Sequence, residues 1–320
     1  MKILPISAVV PTRNRTKVFS EALRSLEQQE VFPAELIVVD ASDEPKTREM
    51  LNSFAAQLGA VSSIRWMPAR MRGAAVQRNQ GVSAVTHPVV WFFDDDIRFE
   101  PECVIRLWRA LNSDLRLGGV NAMIVNQRYQ PPGPVSRTLF RILHGRSEPT
   151  YAGRVIGPAV NLLPEDCDHL PEVVSVEWLN TTCTLYRREA LPTPAFDSMF
   201  VGYSLLEDLT LSLQVGKGWR LANARTARIF HDSQPGSHKD DVTALAAMEL
   251  INRHYVMTKI LGRNSFRDYL RLLAWEMFQL GACAAEARSR SMLGSMTIGK
   301  WNATCAIAAG KRQSNVKSCQ

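Results

Sequence analysis

Val89-Val-Trp-Phe-Phe93 runs without a break into Asp94-Asp95-Asp96. Five consecutive β-branched and aromatic residues read as a strand covered on both faces. The three carboxylates at its end repel one another, and a divalent cation would relieve that repulsion. Hard cations take oxygen ligands, and Mg²⁺ or Mn²⁺ often uses one or two carboxylates with substrate phosphates completing its shell. The plain alternative is a solvated acidic turn that caps the following segment.

Working outward, Ile6 to Val10 is a short apolar run followed by the turn cluster Pro11-Thr-Arg-Asn-Arg. Phe19, Ala22, Leu23 and Leu26 recur at helical spacing. Leu36-Ile-Val-Val39 reads as a second strand and ends in Asp40-Ala-Ser-Asp. Pro45 to Leu58 reads as a helix, Ile64-Arg-Trp-Met as a strand, Gly73 to Val85 and Pro101 to Leu111 as helices. Strands alternating with helices predict an α/β fold with a mostly parallel central sheet flanked by helices. In such sheets ligands bind beyond the carboxyl ends of the strands. The polar clusters Thr12-Arg13-Asn14, Asp40 and Asp94 to Asp96 fall at those ends.

Gly118 to Pro171 is rich in Gly and Pro and predicts long loops. Strand character returns over Val173 to Arg187, around Trp178, and over Arg220 to Phe230, just before His231. Glu207 to Val215 reads as a short helix opening on two acids, and beyond residue 240 the chain reads as helical to near its end.

Composition narrows the class. A chain of 320 residues with 46% apolar and 22% charged residues builds one large domain or two small ones. No run approaches the ~18 uncharged apolar residues of a spanning helix, and Pro5 and Pro11 interrupt the N-terminal segment, so neither a spanning helix nor a secretory signal is expected. The six cysteines form no CxxC pair, which leaves a structural zinc site without support and predicts reduced thiols in a cytoplasmic protein. From Val242 onward there are 11 Lys/Arg and 4 Asp/Glu, against 27 of each before it. The whole excess of +7 therefore sits in the last quarter and predicts an anionic partner there.

Several residues carry chemistry with open alternatives. Asp40 could accept from a ribose or base, or only end its strand. The turn after strand one holds no GxGxxG, and no GxxxxGK[ST] loop exists, so no glycine cradle holds a nucleotide. Arg78 could pair with a diphosphate or with the acids. Glu207 and Asp208 suit a helix first turn, and equally a general base. His231 could ligate Mn²⁺ or be structural.

Taken in order, these motifs resemble glycosyltransferase family 2, whose fold is called GT-A. Ser7-Ala-Val-Val-Pro-Thr-Arg-Asn-Arg is similar to the family's first strand and loop, and Val38-Val-Asp-Ala-Ser to its base-contacting strand end. Arg78-Asn-Gln-Gly resembles the RNxG element, Asp94 to Asp96 the DxD motif, and Leu206-Glu-Asp the ED motif. Trp178 to Arg188 resembles the acceptor-side strand, and His231 matches a histidine that ligates metal in some members. Ala41 stands where a second acid is frequent, and Asn180 to Thr182 lack the usual glycine.

The resemblance implies an inverting transfer of sugar from a nucleoside-diphosphate sugar to a glycan or lipid-linked hydroxyl in cell-surface polysaccharide synthesis. Pro11, Thr12, Arg13, Asp40, Arg78, Asp94 and Asp95 would bind the donor. Asp96 and His231 would hold Mn²⁺ or Mg²⁺. Asp208 would be the base, with Trp178, Asn180 and Glu207 on the acceptor. Residues 1–117 would form the donor half, 118–240 the acceptor half, and 241–320 a basic helical extension. Leu270, Leu273, Trp275, Phe278 and Leu280, among Arg267, Arg271, Arg288 and Arg290, would lie on an anionic membrane surface on the inner face of the cell membrane, or else pack as core. No nucleic-acid reader motif is present, so no nucleic-acid partner is expected. A sugar-phosphate nucleotidyltransferase and a non-catalytic partner in a polysaccharide assembly are the rival readings.

Overall fold

Phe19, Ala22, Leu23 and Leu26 lie fully buried on one side of helix α1 (Thr16–Glu27), as their i, i+3, i+4, i+7 spacing dictates. Each such side chain contributes about 1.5–3 kcal/mol by leaving water. The stripe packs on the sheet with Ile6, Ala8 and Val10 of β1 (Lys2–Thr12) and with Leu36 and Val38 of β2 (Val31–Asp40). The computed structural model describes residues 2–58, 62–200, 202–203, 205–234 and 240–310.

The chain divides into two compact units. The first comprises residues 1–129, 163–202 and 207–234. Its remaining elements are α2 (Lys46–Leu58), β3 (Ser63–Pro68), α3 (Ala74–Val82), β4 (Val89–Phe93), β5 (Ile97–Phe99), α4 (Cys103–Asn112) and β6 (Leu117–Ile124). After the elements of the second unit come β9 (Val173–Val176), β10 (Cys183–Arg187), α6 (Glu207–Val215) and β11 (Arg220–His231). One sheet runs in the order β3-β2-β1-β4-β10-β6-β11-β5, with β9 beside β11. The β3-β2-β1-β4 half is parallel throughout. β10 is antiparallel to both its neighbours, and β11 runs parallel to β6.

β4 is buried along its whole length because both its faces are covered. Trp91 and Phe93 stack on one face, 4.7 Å apart, with Phe99. Phe92 points to the other and meets Phe196 and Tyr186 edge-on. In register, Thr12 stands opposite Asp40, so the ends of β1 and β2 lie side by side.

The expected loop from Gly118 to Pro171 instead begins with the buried strand β6. Gly118 and Gly119 are there for packing: a Cβ on either would lie 2.5 Å from Trp219 or 2.7 Å from Tyr186. The Pro-rich run then opens a helix, with Pro134 at its first turn. Trp178 does not lie in a strand; it sits in the turn between β9 and β10.

The second unit comprises residues 130–162, 203–206 and 235–320. Within it, α5 (Pro134–His144) and the short hairpin β7 (Val155–Ile156) and β8 (Val160–Asn161) share a small core of Phe140, Leu143, Tyr151, Ile156 and Val160. Helices α7 (Val242–Tyr255), α8 (Phe266–Ala285) and α9 (Leu293–Ala308) follow. α8 starts with a reciprocal cap between Ser265 and Asp268. Glu276 of α8 meets Lys300 of α9 and Arg253 of α7 inside this unit. No helix of the described residues is long and apolar enough to cross a membrane. Cys103, Cys167, Cys183, Cys283 and Cys305 are free thiols, and Cys319 lies outside the described residues.

Candidate active site

The ends of β1, β2 and β4 converge in the first unit, and their acids are held by named partners. Asp94 leaves β4 half-buried, its N–H donating to the Thr182 carbonyl at 3.1 Å. Asp95 and Asp96 are buried. The Thr12 hydroxyl donates to Asp95 Oδ2 at 2.6 Å, and Arg15 Nη1 lies 3.2 Å from both Asp95 Oδ1 and Asp96 Oδ2. Burial pushes the Asp95 carboxyl up to about 7, against the pull of Arg15 and Thr12. Burial acts on Asp96 in the same direction, but His231 and Arg15 outweigh it and leave that carboxyl below its ordinary value.

His231, at the end of β11, sets Nε2 3.2 Å from Asp96 Oδ1. Its Nδ1 lies 3.0 Å from the Gln127 amide. The orientation of that amide and the imidazole tautomer are linked: with the amide oxygen toward Nδ1–H, the lone pair sits on Nε2, the nitrogen beside Asp96. Asp94, Asp96 and His231 each bring one ligand atom within 4.8 Å of the other two. Two carboxylate oxygens and an imidazole nitrogen suit Mn²⁺ and fit Mg²⁺ less well. Asp94, expected on the donor, lies within reach of the two expected metal ligands.

Arg78 connects this cluster to the acids of α6. The side chain is buried, with Nη2 2.6 Å from Asp94 Oδ1 and Nη1 3.5 Å from Glu207 Oε1. Its guanidinium also lies over the Phe196 ring at 5.6 Å. Asn79 holds the neighbouring loop by a reciprocal pair: its amide donates to the Phe196 carbonyl at 2.7 Å and accepts from the Phe196 N–H at 2.8 Å. Gly81 completes the Arg78-Asn-Gln-Gly element, since a Cβ there would lie 2.3 Å from Val9 Cγ1. The element is one packed turn of α3 against β1, with an arginine aimed at the acids.

Glu207 and Asp208 occupy the first turn of α6, where the Leu209 N–H donates to Asp208 Oδ1 at 2.7 Å. Burial pushes both carboxyls upward, and the charge on Asp94 adds to each shift. Arg78 opposes both. Carboxyls held above their ordinary range by burial are suited to accept a proton near neutral pH.

Asp40, at the end of β2, is fixed through both oxygens: the Ser42 N–H donates to Oδ1 at 2.8 Å and the Trp66 indole to Oδ2 at 3.0 Å. Pro11 is buried beside Val39, whereas Arg13 is exposed. Asn14 adopts φ 54°, and its side-chain amide exchanges hydrogen bonds with Asp43. On the acceptor side Trp178 and Asn180 are buried, and Asn180 Oδ1 accepts no hydrogen bond among the described residues.

Two residues of this site were not singled out from sequence. Arg15 belonged to a recognised turn cluster, but nothing in its spacing pointed it at Asp96. Gln77 is buried and donates to the carbonyls of Thr12 and Val39, joining the ends of β1 and β2 to α3. A glutamine among the small and apolar residues of Gly73-Ala-Ala-Val-Gln is the signal that the sequence offers. Gly73, at φ 137°, bridges to Gly202 so closely that a Cβ on it would lie 2.8 Å from the Gly202 backbone.

Residues 7–147 match the family described as Glycosyl transferase family 2. No curated protein matches the chain in sequence. Solved structures do resemble it. The mannosyltransferase PcManGT from Pyrobaculum calidifontis, in complex with GDP-Man and Mn2+, is 13% identical, covers 94% of this chain and 87% of its own, and superimposes with a TM-score of 0.58. S. aureus TarS 1-349 in complex with UDP-GlcNAc is 16% identical, with 97% and 93% covered and a TM-score of 0.51. GalNAc-T7 with UDP, GalNAc and Mn2+ is 13% identical over 86% of this chain and 57% of that one, with a TM-score of 0.54. Residues 7–147 thus match glycosyl transferase family 2, and the chain has the GT-A fold.

Proposed function

We propose that this chain is an inverting glycosyltransferase that moves a sugar from a nucleoside-diphosphate sugar to a hydroxyl of a glycan or lipid-linked acceptor, in cell-surface polysaccharide synthesis at the cytoplasmic side of the membrane. The observation that carries the reading is the Arg78 guanidinium, which joins the Asp94–Asp96–His231 cluster to the raised acids of α6. The family match supports it, and so do PcManGT holding GDP-Man and TarS holding UDP-GlcNAc.

Asp40 presents a carboxylate already oriented by Ser42 and Trp66, whose remaining lone pairs accept from the nucleoside. Pro11, Thr12 and Arg13 line the same strand ends. Asp96 and His231, with Asp94, would hold a divalent ion, which when bound would supply Lewis-acid relief of charge on the departing diphosphate. Arg78 adds a fixed positive charge beside them. Asp208 takes the proton from the acceptor hydroxyl as that oxygen bonds to the anomeric carbon and the bond to the diphosphate breaks. Trp178, Asn180 and Glu207 orient the acceptor, and the buried Asn180 Oδ1 is available to receive a hydroxyl.

Titration of the protein with a panel of nucleoside diphosphates and nucleotide sugars, with and without Mn²⁺ and alongside Asp96→Ala, tests the reading. One nucleotide should bind, require the metal, and be lost in the variant. Absence of binding to well-folded protein would reject the donor site.

A further inference from the structure

Helix α8 has two faces, and only one is covered by the second unit. Leu272, Glu276 and Cys283 are buried. Phe266, Leu270, Leu273 and Met277 recur at spacings of four, three and four and remain 78, 48, 57 and 59% exposed, with Tyr269 beside them at 43%. That spacing places them along one stripe of the helix. Trp275 of the same helix turns inward and packs against the cluster of Phe140, Tyr151 and Val160, and Phe278 is half-buried. The stripe read from sequence is therefore split: Leu270 and Leu273 face out, and Trp275 serves the core.

Helix α5 packs alongside α8, with Arg271 reaching Gly145 at its C-terminal end. It too carries an uncovered apolar face, Val135 at 75% and Ile142 at 55%, two turns apart. The fringe is positive only. Arg137 and Arg141 on α5 and Arg267 on α8 are exposed and make no ion pair among the described residues. α5 has no acid, Asp268 of α8 is committed to the Ser265 cap, and Glu276 is buried against Lys300.

We infer that α5 and α8 dock on an anionic lipid bilayer, with Phe266, Leu270, Leu273, Met277, Val135 and Ile142 at the acyl boundary and the three arginines among the headgroups. An amphipathic helix with apolar residues on one side and arginines at its rim lies in the interface plane without crossing it. Each arginine near an anionic surface adds about 1 kcal/mol. A second copy of the chain is the poorer occupant, because a two-fold interface would bring the same arginines together with no acid to meet them. This inference stands apart from the glycosyltransferase reading, since vesicle binding needs neither donor nor metal.

Full-length protein is sedimented with phosphatidylcholine vesicles with and without phosphatidylglycerol. It should bind the anionic vesicles, and binding should weaken as salt rises. Arg137→Ala with Arg141→Ala should lower the partition coefficient about 30-fold, at ~1 kcal/mol for each arginine. Leu273→Ser with Met277→Ser should also lower it while leaving the circular-dichroism melt unchanged, because both side chains are exposed. Wild-type protein that stays in solution at low salt overturns the inference, as does binding indifferent to the Leu273 and Met277 changes. A dimer that Leu273→Ser dissociates, with no vesicle binding, assigns the face to a second copy. An acidic protein captured by the face in the absence of vesicle binding also rejects the lipid assignment.

Discussion

The Arg15 guanidinium lies 3.2 Å from Oδ2 of Asp96, on the carboxylate oxygen that His231 does not face. Arg15 thus neutralises part of the acidic cluster that a cation would otherwise neutralise. Arg15→Ala should bind Mn²⁺ about fivefold more tightly, the equivalent of ~1 kcal/mol for a partly exposed charge contact. Calorimetric titration of Mn²⁺ into both proteins reads this directly. Equal or weaker affinity in the variant would show that Arg15 does not oppose the ion.

Asp208→Asn should lower kcat by about 10²–10⁴ while leaving donor affinity nearly unchanged, because the amide keeps the shape and loses the basicity. The same residue sets a pH dependence. The base works ionised, and burial holds its carboxyl above the ordinary range. The rate should therefore fall with falling pH at a higher point than the ~3.9 of a free aspartate. A wild-type acid limb at or below that point, or donor binding lost in Asp208→Asn, would remove Asp208 from this role.

Arg78 is a buried cation between two acids, so its removal leaves Asp94 and Glu207 facing each other without compensation. Arg78→Ala should cost about 3–5 kcal/mol of stability. Arg78→Lys should cost less and still impair donor binding, since one ammonium reproduces the charge without the fork that spans both carboxylates. Urea unfolding of the two variants, set beside nucleotide titration, separates the effects.

Gly81→Ala places a methyl 2.3 Å from Val9 Cγ1, with Val39 behind it. Helix α3 must then ride off the sheet, at about 1–3 kcal/mol. Because Arg78 and Asn79 sit on that helix, donor affinity should fall along with stability. A thermal melt and a nucleotide titration of the same preparation check both.

What could be read from the sequence follows a physical line. Residues 2–112 alternate short apolar strands with amphipathic helices, and the ends of β1, β2 and β4 carry polar clusters, so the fold was legible and so was the edge of the sheet where the polar groups gather. Strand β6 was not, because Gly118 and Gly119 look like loop signals and are in fact yielding room to Trp219 and Tyr186. Helix α5 was hidden by the prolines that open it. In the candidate site, Asp94, Asp96, His231, Arg78 and Glu207 stand out in the sequence by residue type and order, and the structure brings them together. Arg15 and Gln77 do not stand out, because their roles depend on strand ends brought together only by folding.

The contact between Gly73 and Gly202 has a mechanical meaning. One glycine begins the helix that carries Arg78, and the other stands five residues before Glu207. With no side chain on either, the two backbones meet like the halves of a hinge pin. The arginine and the paired acids then share a single reference point. An insertion in either connecting loop should disturb both together, and a side chain at Gly73 would push the two backbones apart.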